Sequence, residues 1–496
     1  MNAKAPLASA VLVAVIAGGW PQPANAEDTS IASSVVQVFV YADSPDLALP
    51  WQTLGSEPFS GSGVIIDGHR ILTNAHVVED AVGIEVKRAD GSETFPAKVA
   101  FISHDADLAL LSVEDARAFR GARPLEIGPT PKLLQRVDVW GFPEGGTTLS
   151  ITSGIVSRIE VGDYLQSGQR LLSAQIDAAI NSGNSGGPVI SRGAIVGIAM
   201  QTLEGAENVG YMIPAPVVRH FLEDVSDGRY DGFPQLGIRA QDMESGAQRL
   251  AAGMGPGQTG ALILRIDYGG PAWPVLRPGD VLLEVEGHAI ANDLTVAWPQ
   301  IGRVHYTMVP QSHQIGDRID IRILREGRQL HRSMELTPFQ PLVPGRRTTK
   351  RPRYLVFGGL VFQPLSRDYL EYFEDAPPNL TSIPRNRDVT EQHREVILMQ
   401  RVLPHPVNRG YQSWQDEVVD SVNGTVPRDM PHLAEIIDSA QGRWLRIRME
   451  DGHLITLDRQ AARRAHDEIL DAYGIPEDRY LGDDVAKPRA RRRRSR

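Results

Sequence analysis

Between residues 31 and 213 the chain is written in short β-branched runs, each closed by turn residues. Ser34-Val35-Val36-Gln37-Val38-Phe39-Val40 and Gly63-Val64-Ile65-Ile66-Asp67 are two of them, and Gly193 to Met200 is a third, made of small residues suited to a buried strand. Such runs cannot build a helical bundle. Repeated over about 180 residues, they predict an antiparallel barrel or sandwich. Composition agrees, because 47 glycines and 35 prolines supply turns at a rate above the average for globular chains. Pro214 to Asp224 breaks the pattern, with prolines at its start and Val217, Val218, Phe221 and Leu222 on one helical face. Gly228 to Gly232 then forms a turn-rich joint, and the units on its two sides are expected to fold separately.

Past the joint a faint repeat appears. Asp280 to Gly287 (DVLLEVEG) returns as Glu417 to Gly424 (EVVDSVNG). Each copy is followed by an alternating hairpin: Ile319, Ile321 and Ile323 before Glu326-Gly327, and Leu445, Ile447 and Met449 before Asp451-Gly452. Each is preceded by a short apolar strand containing glycine. Two related β-rich modules in tandem follow from this, over 232–340 and 354–462, with a linker at 341–353 and a C-terminal extension at 463–496. The last ten residues carry seven basic side chains without interleaved aromatics, the mark of a solvated tail.

The 496-residue chain has a net charge of −10, which excludes a polyanion-binding body, and no nucleic-acid partner is expected. It has no cysteine, which excludes disulfides, thiol catalysis and cysteine-ligated metals. Lys4, the apolar run Ala8 to Ala17 and Ala24-Asn25-Ala26 read as a secretory signal over 1–26, cleaved before Glu27. Its apolar run is too short to span a bilayer, which needs about 20 residues. A soluble, periplasmic or otherwise secreted mature chain is expected, with no anchor left after cleavage.

Three motifs carry chemistry. In Gly183-Asn184-Ser185-Gly186-Gly187-Pro188 the glycines free the backbone to expose a serine on a sharp turn and to aim N–H groups at a developing oxyanion. Ser185 is the candidate nucleophile, and the N–H groups of Gly183 and Ser185 are the candidate oxyanion donors. Serine needs an adjacent base, and Leu72-Thr73-Asn74-Ala75-His76-Val77-Val78 offers His76 upstream. The imidazole needs a carboxylate. In Asp105-Ala106-Asp107-Leu108-Ala109-Leu110-Leu111, Asp107 leads directly into the apolar strand that would bury it, and is preferred to Asp105.

TNAHVV, DLALL and GNSGGP, in this order, resemble the HtrA (Deg) family of trypsin-like serine proteases. Gln175 to Asn181 precedes the serine motif as it does there, although Ser182 stands where that family usually has proline. The tandem modules are similar to its PDZ domains, and Phe357 to Leu365 resembles the plant-type members. The resemblance implies a mainly β fold: a trypsin-like double β-barrel over 27–231, then two PDZ-like α+β modules. It implies ATP-independent endoproteolysis of unfolded or damaged proteins, assembly from trimers, and neither metal nor organic cofactor. A silent PDZ adaptor or chaperone, or a stress sensor cleaving one regulatory protein, are the alternatives. By resemblance, Ile180, Ala199, Met200, Tyr211 and Ile213 line an uncharged specificity pocket. Asn184 stands where trypsin-like zymogens carry the acid that pairs with a new N-terminus, and the resemblance implies that loop rearrangement orders the oxyanion hole instead. The first PDZ module is expected to bind C-terminal peptides with a carboxylate loop at Gln235, Leu236, Gly237 and Ile238, where Gln235 replaces the usual aromatic.

Overall fold

The computed structural model describes residues 30–144, 146–164, 167–202, 210–345, 351–373 and 376–482. The signal segment and the basic tail lie outside them. Strands β1 (Val35–Pro45), β2 (Thr53–Ile66), β3 (Arg70–Thr73), β4 (Ala81–Arg88), β5 (Thr94–Ser103) and β6 (Leu108–Val113) close a barrel in the order β1-β2-β3-β6-β5-β4. A second barrel closes as β10-β11-β12-β9-β8-β7. It is made of β7 (Arg136–Gly141), β8 (Ser150–Asp163), β9 (Arg170–Ile176), β10 (Pro188–Ser191), β11 (Ala194–Thr202) and β12 (Gly210–Pro214).

The two barrels explain the unbroken apolar runs. Ala109 and Leu111 of β6 fill the first barrel with Val36, Val38 and Val40. Leu108 and Leu110, pointing the other way, join the cluster that continues into the second barrel. A strand buried on both faces has no polar alternation to show.

Helix α1 (Ala215–Asp224) starts at Pro214 and buries Val217, Val218 and Phe221. Its last carboxylate, Asp224, accepts the N–H groups of Asp231 and Gly232 at 3.2 and 2.9 Å, which fixes the joint. The joint does not separate two cores. Phe233 stacks on His220 with centroids 4.1 Å apart. Phe233 and Leu236 share one buried cluster with Ile176 and Phe221 on the barrel side and Ile263, Leu282 and Ile321 beyond. The His220 Nε2–H donates to His313 O at 2.8 Å, and Gln311 Nε2 donates to Arg170 O at 2.8 Å. The two sides of the joint thus share one core in the full chain.

The first PDZ-type sheet runs through Ile238–Gln241, Ala261–Ile266, Val281–Val285, Arg318–Arg325 and Arg328–Glu335. The second has seven strands, from Leu454–Asp458 at one edge to Arg479–Tyr480 at the other. Residues 463–482, read from sequence as extension, take part in it: helix Arg459–Ala472 buries Ile469 and Leu470, and Arg479–Tyr480 pairs with Tyr354–Leu355. Among the described residues no helix is long and apolar enough to cross a membrane.

Candidate active site

The serine turn lies where the barrels meet. Ser62 of β2 ties it down twice and joins it to Phe142. Its N–H donates to Ser185 O at 2.9 Å, its Oγ donates to Gly183 O at 2.7 Å, and the same Oγ accepts the Phe142 N–H at 2.8 Å. Gly183 and Gly186 have φ of +91° and +84°, and a Cβ at Gly186 would collide with Ser62 O and Thr73 Oγ1. Glycine is therefore required by conformation and by space. The Ser185 hydroxyl donates to Met200 O at 3.0 Å. The N–H groups of Gly183 and Ser185 have no backbone partner among the described residues, whereas those of Asn184, Gly186 and Gly187 are all engaged. Asn184 is buried, 1% exposed, and brings no charge beneath the turn.

His76 sits on the turn that follows β3. Its ring Nδ1 lies 2.8 and 2.9 Å from the two oxygens of Asp107, and its backbone N–H donates to Asp107 Oδ1 at 2.9 Å. Asp107 is fully buried with φ +52°, and Asn74 Nδ2 donates to its carbonyl at 2.8 Å. With the Nδ1 proton held by the carboxylate, Nε2 is the basic nitrogen of the ring. Tyr164, wholly buried, has its phenol pushed well above the usual range, first by burial and then by the nearby Asp107 charge. Asp105 faces elsewhere. Its carboxylate is close to Gly232 and contributes, after burial, to raising Tyr230, whose hydroxyl pairs with Ser103 Oγ at 2.6 Å.

Of the predicted pocket residues, Ala199 and Ile213 are completely buried, Met200 and Ile180 nearly so, and all four belong to the main core. Tyr211 is half-buried and its hydroxyl accepts from Arg158 on β8 at 2.9 Å. In the predicted carboxylate loop, Leu236 O and Gly237 O accept the N–H groups of Ala272 and Asp267 at 3.1 and 2.9 Å. Gln235 Nε2 donates to Gln169 Oε1 at 2.6 Å, and Ile238 opens the edge strand Ile238–Gln241. Sequence reasoning missed Ser62 and gave Asn74 no role. The flanking Gly61 and Gly63 were the available signal for Ser62. Among the described residues one group has metal-compatible spacing, Glu417, Asp451 and His453 in the second PDZ-type sheet, and none of these belongs to the serine site.

Residues 61–198 match the trypsin-like peptidase domain family, and residues 343–481 match the PDZ domain family. Protease Do-like 2, chloroplastic, of Arabidopsis thaliana is 36% identical over 463 residues, covering 92% of this chain and 76% of that one. Protease Do-like 4, mitochondrial, of the same plant is 35% identical over 462 residues, covering 92% and 87%. Among solved structures, the HtrA-type protease AlgW with decapeptide is 21% identical at a TM-score of 0.49, covering 64% of this chain and 98% of that chain. Paired six-stranded barrels followed by PDZ-type sheets, together with the peptidase-domain match and the Arabidopsis relatives, define a trypsin-like serine endopeptidase. The chain belongs to the Deg (HtrA) family of serine proteases.

Proposed function

We propose that Ser185 is the nucleophile, His76 the general base and Asp107 the carboxylate that orients it, in an ATP-independent endopeptidase acting on unfolded or damaged proteins. One observation carries the reading: the buried Asp107 carboxylate accepts both the ring Nδ1–H and the backbone N–H of His76. That arrangement presents Nε2 as base and stabilises the imidazolium formed on proton transfer. For attack, the Ser185 hydroxyl turns from Met200 O and gives its proton to Nε2 as Oγ adds to the peptide carbonyl. The N–H groups of Gly183 and Ser185 meet the negative oxygen. His76 then protonates the leaving amine, and water repeats the sequence to release the acyl group.

The uncharged side chains of Ile180, Ala199, Met200, Tyr211 and Ile213 favour small or medium apolar residues before the cut. C-terminal peptides add as a strand beside Ile238–Gln241, with the carboxylate at Gln235–Ile238, and the chain assembles from trimers. The Arabidopsis relatives are named as mitochondrial or chloroplastic. The signal-like first 26 residues support export for this chain. The test is degradation of an unfolded casein-type substrate by the mature chain beside Ser185→Ala. Equal degradation by both proteins would refute the reading; complete loss in the variant is expected.

A further inference from the structure

The loop between β1 and β2, residues 46–52, is seated on the second PDZ-type sheet. Trp51 is 9% exposed and meets Tyr354 edge-on, with centroids 5.8 Å apart, in a cluster with Val356, Val361, Leu403 and Ile469. Gln363 Nε2 donates to Leu47 O at 2.9 Å and Gln400 Nε2 to Ala48 O at 3.2 Å. Tyr372 OH donates to Asp46 Oδ1 at 2.9 Å. Both glutamines are 2% exposed. A buried amide is costly unless it is hydrogen-bonded, and two successive carbonyls of this loop are the partners. The sheet thus carries a built receptor for the turn-shaped main chain of this loop followed by an aromatic ring.

The end of β1 next to the loop is bonded to the turn that carries His76. The Asp43 N–H donates to Asp80 O at 2.9 Å, Ala42 pairs with Ala81, and the Asp80 side chain bonds Ser44. Asp80, at φ +53°, closes the turn that carries His76.

We propose that the second PDZ-type module takes residues 46–52 of its own chain as its ligand, and that this latch positions the His76 turn through β1 and Asp80. Trp51 is then a positioning residue, and the module serves the geometry of the protease rather than the capture of substrate tails. The inference rests on the reading of His76 as general base.

The indole N–H of Trp51 has no partner among the described residues, so ring packing holds it. In the full chain, Trp51→Phe should keep turnover of a short peptide near the unmodified level. Trp51→Ala should lower kcat about tenfold or more with KM little changed, as for a group that acts on transition-state geometry. Hydrogen exchange should quicken at the amides of 76–80 and stay unchanged along β5 and β6. A labelled synthetic peptide of residues 46–52 should bind the Trp51→Ala chain and not the unmodified one. Should Trp51→Ala fail to fold, the pair Gln363→Leu with Gln400→Leu keeps the bulk and should lower kcat in the same way. Unchanged kcat in the alanine or leucine variants, or equal loss in Trp51→Phe and Trp51→Ala, would overturn the latch, as would equal peptide binding to both chains. If the unmodified chain neither cleaved peptide nor reacted with a fluorophosphonate, the His76 reading would fail, while peptide binding and exchange would still decide the latch.

Discussion

Asp107 concentrates several demands in one residue. It is fully buried, holds a left-handed backbone at φ +52° and accepts two bonds from His76. A non-glycine residue in that conformation costs about 1–2 kcal/mol, and the Asn74 amide on its carbonyl helps to hold it there. Asp107→Asn should keep the fold and lower kcat about 10⁴-fold by imposing the wrong imidazole tautomer, while Asp105→Asn should change turnover little. Steady-state kinetics on the two variants would decide between the carboxylates, and the reverse ranking would reject Asp107. The contact of Asp107 with His76 was legible because Asp107 touches the apolar run and Asp105 does not. Ser62 was marked only by its flanking glycines, since its partners Gly183 and Phe142 come from distant parts of the chain. Ser62→Ala leaves a buried carbonyl and a buried N–H without their shared partner. It should cost about 1–3 kcal/mol of stability, read as a lower urea midpoint. The same variant should lose kcat through a loosened serine turn. A midpoint and kcat equal to those of the unmodified chain would show that Ser62 does neither.

At the scale of elements, local pattern was a good guide wherever the chain closes on its immediate neighbour. Glu326 and Gly327, at φ +50° and +73°, make the two-residue turn expected of the Ile319–Ile323 hairpin, with Arg325 opposite Arg328. Helix α1 likewise begins and ends as its prolines and apolar face indicate. Pairings between distant strands were not legible, because periodicity marks an apolar face without naming what covers it. The strand Gly302–His305 illustrates this. His305 is half-buried beside Arg170 of β9, and its pKa falls from 6.5 to about 4, through partial burial first and the Arg170 charge second. The fold keeps this ring neutral, whereas the unfolded chain takes up a proton below pH 6.5. The resulting stability is present above pH 6.5 and is lost as pH falls toward 4. Thermal midpoints measured from pH 7 to 4 should drop less steeply in His305→Gln than in the unmodified chain. Parallel curves would show that His305 is not a source of acid sensitivity at this contact.

For the whole molecule, the joint at Gly228–Gly232 was visible in sequence, but the shared core across it was not. Phe233 and Leu236 lie just past the joint and pack back on α1 and the second barrel. A chain ended at residue 231 removes that cover from His220 and Phe221, so it should melt below the full chain and associate through the uncovered apolar face. Calorimetry and sedimentation of the shortened chain would check this, and an unchanged melting temperature with a clean monomer would contradict it. Both barrels nonetheless meet at the serine turn, and the central claim is that Ser185, activated by His76 and Asp107, performs the cleavage. The most direct measurement is reaction of the full mature chain with a fluorophosphonate, followed by mass mapping of the adduct. The account predicts one adduct, on Ser185, absent from Ser185→Ala and strongly slowed in His76→Ala. Labelling at another serine, or labelling that persists in Ser185→Ala, would contradict it.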